Sequence, residues 1–380
     1  MKFVVFGEDW GRHPSSTQHL FKELSEKHEV HWINSIGMRK PSIKVTDIKR
    51  VLQKLMQLCS SNTNKKNQAT SADNDKLMKV YNLFILPWHD FNLARMFNRY
   101  LFSRCSFLNE QPIIYWLSVP TAISLISPRK GIDRVVYYCG DDFSALAGVD
   151  HQMVEPFESA LIKKADLIYV ISDFLADKMP KEKVELLTHG VDFDLFHNRA
   201  VKAIELKGIN KPKIGFYGSL NAWLDKALLY KLATSRTQYE LVLVGNISDD
   251  FSDLLALSNV THINAVDHAR LAQFSQHWQV SLLPFIDNEQ IRACDPLKLK
   301  EYLACGTPIV ATSFPAVNKY QETILVAHDH DGFITRVDIA VQLSCATEFS
   351  FSEIQSNLAS NHSWQSKASL VESHLVNLSD

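Results

Sequence analysis

The chain has 380 residues, 46% of them hydrophobic, and a net charge of −2 from 40 basic and 42 acidic side chains. That length exceeds one ordinary core, so two domains are expected, and the charge balance gives no overall pull toward nucleic acid. Six scattered cysteines with no CxxC or zinc spacing, no apolar run of membrane-spanning length, and Glu8 and Asp9 directly after a short first apolar run lead us to expect a cytoplasmic protein with free thiols and no metal site.

Apolar runs alternate with helical patterns along the chain, the signature of parallel α/β sheets. Lys2 to Gly7 reads as a buried strand, Ser15 to Lys27 as a helix capped by Ser15 or Ser16, and Glu29 to Asn34 as the next strand. Asp9, Trp10, Gly11, Arg12 and His13 follow the first strand. Ligands of open α/β sheets bind beyond the carboxyl ends of strands, so Gly11 is a candidate for backbone approach to phosphate, and Asp9 or His13 for contact with a substrate. Thr46 to Cys59 has apolar residues at helical spacing, and 39–79 carries ten Lys or Arg against three Asp, an excess of +7 (10 − 3). A core-packed helix with a solvated face is the simpler reading, and peripheral contact with anionic membrane is the functional one. Ser60 to Lys76 is polar and free of aromatics, as in an exposed or disordered loop.

Further strands are expected at Val80 to Pro87, Pro112 to Ser118, Arg134 to Cys139 and Asp166 to Ser172. Asp141 and Asp142 follow the third of these. Adjacent carboxylates repel unless paired or solvated, so one reads as a ligand contact and one as a loop or helix organiser. The pattern restarts at Lys213 to Gly218 and continues through Leu241 to Gly245, Val260 to Asn264, Val280 to Phe285 and Pro308 to Thr312. The boundary is expected between Phe196 and Lys211, giving domains 1–198 and 199–362 and a C-terminal helix within 362–380. Asp295 to Thr312 reads as loop, helix, tight turn and buried strand. Asp295 suits the cap, Pro296 the first helical position, and Gly306 and Pro308 the stop. Lys298 and Glu301 share a helix face, and Leu299 and Leu303 another. On spacing alone a surface Lys–Glu pair on a short amphipathic helix is the simpler reading. A lysine at a helix N-terminus with a carboxylate one turn on also suits a diphosphate and a ribose.

Several segments together resemble GT-B glycosyltransferases that use nucleotide-sugar donors, most closely the retaining family 4 group and related bacterial envelope-polysaccharide transferases. The segments are Arg134 to Leu146, Phe157 to Ser172, Leu186 to Phe196, Lys213 to Leu229, and Asp295 to Thr312. The resemblance covers roughly residues 130–315, with 1–130 matched only loosely. It implies two doubly wound Rossmann-like domains facing a cleft, an acceptor-side N-terminal domain, a nucleotide-sugar-binding C-terminal domain, and a C-terminal helix 363–380 that packs back on the first. It implies a hexosyltransferase acting from a UDP- or GDP-type sugar on a glycan or lipid-linked glycan, with retention and no cofactor. Lys298 would stabilise the diphosphate, helped by Arg292, Asp295 and Leu297 at the helix start. Glu301 would hold the ribose, Gly218 would admit the diphosphate, and Gly245, Asn246 and Val266 would flank the base. Asp141 would position the donor sugar, with Asp142 beside it. The sequence departs from the family at Ala293, where a first glutamate often stands, at Ser219 and Trp223, where Arg and Lys often stand, and at Asp141, in place of histidine. The alternatives are an inverting transferase with His13 or Asp9 as base, a nucleotide-sugar 2-epimerase, and a catalytically silent binding subunit.

Overall fold

The computed structural model describes residues 1–11, 15–36, 77–86, 88–89, 91–108, 111–144, 149–345 and 351–378. Arg12, His13, the 46–59 helical pattern, the 60–76 loop and all but the last residues of the basic stretch 39–79 lie outside the described residues. The chain divides into two units, Met1–Leu187 and Thr188–Asp380.

The first unit runs β1 (Lys2–Phe6), α1 (Ser16–Leu24), β2 (Glu29–Ile33), β3 (Met78–Tyr81), α2 (Asn92–Ser103), β4 (Ile114–Leu117), β5 (Arg134–Cys139), α3 (His151–Lys164), β6 (Leu167–Val170) and β7 (Val184–Leu186). Its sheet has the order β3-β2-β1-β4-β5-β6-β7, with every pairing parallel. Phe3, Val4, Val5 and Phe6 are buried, as expected for a central strand covered on both faces. Ser15 is the cap of α1, accepting the Gln18 N–H. The strand expected over Val80 to Pro87 ends at Tyr81. Beyond it the Leu86 N–H and C=O bond to the Asn98 side chain of α2 instead of a neighbouring strand.

The second unit runs β8 (Lys213–Tyr217), α4 (Lys226–Ser235), β9 (Glu240–Val244), β10 (Val260–Ile263), β11 (Val280–Leu283), α5 (Leu297–Cys305), β12 (Ile309–Thr312), β13 (Leu325–Ala327), α6 (His330–Cys345), α7 (Phe351–Ser360) and α8 (Trp364–Asn377). Its parallel sheet has the order β10-β9-β8-β11-β12-β13. In both sheets the strand order reverses beside the first strand, β1/β4 and β8/β11. Such switch points are where open α/β sheets bind ligands.

The division falls at Leu187/Thr188, ahead of the expected 196–211. Residues 188–198 group with the second unit because its core holds them. Phe196 is fully buried there, the Val191 N–H donates to His362 O, and the Gln276 side chain donates to Phe196 O. Helix α8 also groups with this unit: Trp364 lies against Gly190, and Lys367 donates to Thr188.

Candidate functional site

Helix α5 starts at Leu297 with Pro296 in the cap position and no side-chain cap. The expected Asp295 cap is therefore corrected. Asp295 is buried, and its carboxylate accepts from Lys300 Nζ at 2.9 Å and from the His189 N–H at 2.9 Å. A buried ammonium needs a counter-charge more than a helix end needs a cap. Lys300 also donates to Tyr320 Oη at 3.0 Å. At the other end, Gly306 takes the left-handed conformation (φ 68°) and stops the helix.

The amphipathic surface helix is corrected as well: residues 299–304 are all buried. Glu301 is only 6% exposed, and its two oxygens are engaged, Oε2 by the Tyr217 hydroxyl at 2.7 Å and Oε1 by His268 Nε2 at 2.8 Å. Burial and the Glu301 charge push the Tyr217 phenol well up, so it is the donor. Burial pulls the His268 imidazole down, but the hydrogen bond and charge of Glu301 outweigh it, and the net shift is upward. Both contacts fill lone pairs that the carboxylate would otherwise have to desolvate unpaired.

Lys298 sits three residues before Glu301 on α5, toward the same end of β8. Its ammonium lies over the Phe216 ring, 5.7 Å from the centroid, and makes no hydrogen bond or ion pair within the described residues. Burial pulls its pKa down against the opposing charge of Glu301. The side chain lies on Gly218, where a Cβ would come within 2.3 Å of Lys298 Cε. Gly218 (φ 137°) and Gly245 (φ 150°) end β8 and β9 back to back, and a Cβ on Gly245 would lie 1.9 Å from Gly218 O. Only glycine fits this pair. Gly245→Ala is expected to destabilise the second unit by roughly 1–3 kcal/mol for the backbone alone, read as a lower denaturation midpoint. The adjoining loops are stitched by Leu220 N–H to Asn246 O and Ser248 N–H to Leu220 O, both 2.8 Å.

Other expected contacts near this turn are placed as follows. Asn246 is exposed, and Val266 is half-buried against the core. Arg292 is exposed and bonded through two nitrogens to Asp287, each at 2.7 Å. Its charge is answered locally.

In the first unit, Asp9 and Gly11 follow β1. Asp9 Oδ1 accepts the Ser35 N–H at 3.2 Å, and the Gly11 N–H (φ 78°) donates to Gln18 Oε1 at 3.0 Å, with open space where a Cβ would stand. Asp142 is the organiser of its pair. It accepts from Lys178 Nζ at 2.5 Å and from Ser144 N–H and Oγ–H at 3.1 and 2.6 Å. Burial works against its charge, but these bonds hold its pKa below the usual value. Asp141 is exposed as a residue, but its carboxyl is crowded by neighbouring atoms. Packed surroundings push its carboxyl up to about 7, and the like charges of Glu8 and Asp142 push the same way. Among the described residues no cluster of His, Cys, Asp or Glu suits a metal ion.

Sequence reasoning missed Tyr217, His268 and Lys300. Tyr217 reads as one more apolar position of a buried strand, and His268 lies 33 residues before its partner. Lys300 reads as a surface charge between Lys298 and Glu301.

Residues 211–342 match the family model described as glycosyl transferases group 1. The chain is 26% identical over 280 residues to a protein of Bacillus subtilis (strain 168) named as a teichuronic acid biosynthesis glycosyltransferase, TuaH. That match covers 67% of this chain and 70% of the relative. Solved structures share the fold over nearly the whole length. An E. coli trehalose-6-phosphate protein bound with UDP-2-fluoro glucose has a TM-score of 0.67 at 13% identity, covering 100% of this chain and 99% of that one. A Rickettsia africae glycosyltransferase has 0.67 at 12%, covering 99% and 97%. Anabaena Alr3699/HepE in complex with UDP has 0.63 at 11%, covering 99% and 100%. With two parallel sheets on a GT-B fold and a group 1 glycosyltransferase domain at 211–342, the chain is a glycosyltransferase.

Proposed function

We propose that the chain moves a hexose from a nucleoside-diphosphate sugar, of UDP or GDP type, to a hydroxyl of a glycan or lipid-linked glycan, with retention, in bacterial envelope-polysaccharide synthesis. The observation that carries this reading is Lys298. It is an ammonium without an ion partner in the described residues, in the first turn of α5, lying on a turn where two glycines leave bare backbone. That is a place for a diphosphate, where a fixed positive charge meets the negative charge that grows as the sugar departs. Glu301, locked by Tyr217 and His268, keeps lone pairs for the ribose hydroxyls. Gly245, Asn246 and Val266 flank the base, Asp295 fixes the start of α5, and Leu297 opens it. In the first unit, Asp141 positions the donor sugar.

The transfer breaks the bond between the anomeric carbon and the diphosphate oxygen and forms one to the acceptor oxygen on the same face. The acceptor proton passes to the departing diphosphate. The names of the relatives support the class: one is named for teichuronic acid biosynthesis, and two structures hold UDP or a UDP-sugar.

The test is calorimetry with a panel of nucleoside diphosphates and their sugars on wild type and Glu301→Gln. One diphosphate should bind selectively, and the variant should lose roughly 1.5–3 kcal/mol, about tenfold or more in affinity. Absence of binding by every member, with the chain folded, would overturn the reading. The anomeric configuration of the product then decides between retention and inversion.

A further inference from the structure

Helix α2 of the first unit has its apolar face on the outside. Ala94, Asn98 and Phe102, spaced four apart, are the buried row: Phe102 packs against Phe6, and Asn98 bonds Leu86. Leu93, Met96, Phe97 and Tyr100 recur at the i, i+3, i+4, i+7 spacing of a second row, and that row is exposed, with Leu93 at 80% and Met96 at 69%. Phe91 and Trp88, just ahead of the helix, are exposed as well. Scattered surface apolar residues need no explanation, but six large ones gathered at one helix are a concentration of the kind found at interaction surfaces.

Charge narrows the partner. The helix holds no acidic residue, while Arg99 and, just past its end, Arg104, both exposed, border the apolar row. Arg99 donates to Ser124 O, and Arg95 bonds Asn92, so neither has a carboxylate partner among the described residues. A second copy paired through this face would bring arginine against arginine. Aliphatic and aromatic tips flanked by arginines suit the boundary of a bilayer that bears negative headgroups.

We propose that the Leu93–Met96–Phe97–Tyr100 face of α2 docks the chain on an anionic lipid surface. This does not depend on the donor-site reading and uses none of its residues. The experiment is flotation of the full chain with phosphatidylcholine vesicles, with and without phosphatidylglycerol, for wild type, Leu93→Glu/Met96→Glu and Arg99→Gln/Arg104→Gln. Wild type should float with the anionic vesicles, and less so as salt rises. The apolar double variant should lose about tenfold or more in partition, since two side chains no longer enter the interface. The arginine variant should lose the preference for anionic over neutral vesicles. Both should keep the wild-type melting temperature and nucleoside-diphosphate binding. Failure of wild type to float, or undiminished flotation of Leu93→Glu/Met96→Glu, would overturn the proposal. So would a concentration-dependent dimer in sedimentation velocity that the apolar variant abolishes, because the face would then belong to a second copy.

Discussion

Lys298→Met is expected to lower kcat about 100- to 1000-fold, roughly 2.7–4 kcal/mol of transition-state stabilisation, while leaving the melting temperature unchanged or slightly higher. The asymmetry follows from the surroundings of the side chain. Its ammonium makes no hydrogen bond or ion pair within the described residues, and burial works against its charge. Methionine keeps the apolar stem over Phe216 and removes only the charge. A structural lysine would show the reverse, lost stability with retained turnover. Release of nucleoside diphosphate from the donor that calorimetry selects, read beside a thermal melt, separates the two.

Asp295→Ala is expected to destabilise the second unit by about 3–5 kcal/mol, because it strands the buried Lys300 ammonium and the His189 N–H. Pairing it with Lys300→Met should recover much of the loss, since a buried ion pair replaced by apolar groups costs little. Burial opposes the Asp295 charge, yet Lys300 and His189 hold its pKa below the usual carboxylate value. The Asp295 contribution is therefore present above the unfolded value near 3.8 and disappears as pH falls through the folded value, and the deficit of the variant should shrink with it. Burial also drives the nearby His189 and His362 down to about 4 from 6.5. Both are neutral in the folded chain and bind protons on unfolding as the pH drops below 6.5. Wild-type stability should accordingly fall between pH 6.5 and 4. Denaturation midpoints from above pH 6.5 to well below 3.8 check both signs.

The alternation of strands and helices was legible because central strands such as β1, β8 and β9 are buried on both faces and read as unbroken apolar runs. The edge strands β7 and β13 escaped notice, being three residues each and only partly buried, too short for any period to show. The glycines at 218 and 245 were legible as strand ends, but their back-to-back packing was not, because it joins different βα units. Asp295 shows the same limit in reverse. Asp-Pro before a helical pattern is a sound cap signal, and it failed because Lys300, five residues on, points inward and claims the carboxylate. Glu301 was legible as a candidate, whereas Tyr217 and His268 were not. Hydrogen bonds between side chains 84 and 33 residues apart leave no trace in local pattern.

The central claim is that a donor diphosphate seats where Lys298 crosses the glycine turn. Hydrogen exchange of the full chain, with and without the diphosphate that calorimetry selects, tests it most directly. The account predicts slowed exchange at 217–220, 245–248 and 297–301, and its loss in Lys298→Met at the same ligand concentration. Protection confined to other segments, or protection at these that survives in Lys298→Met, would contradict it.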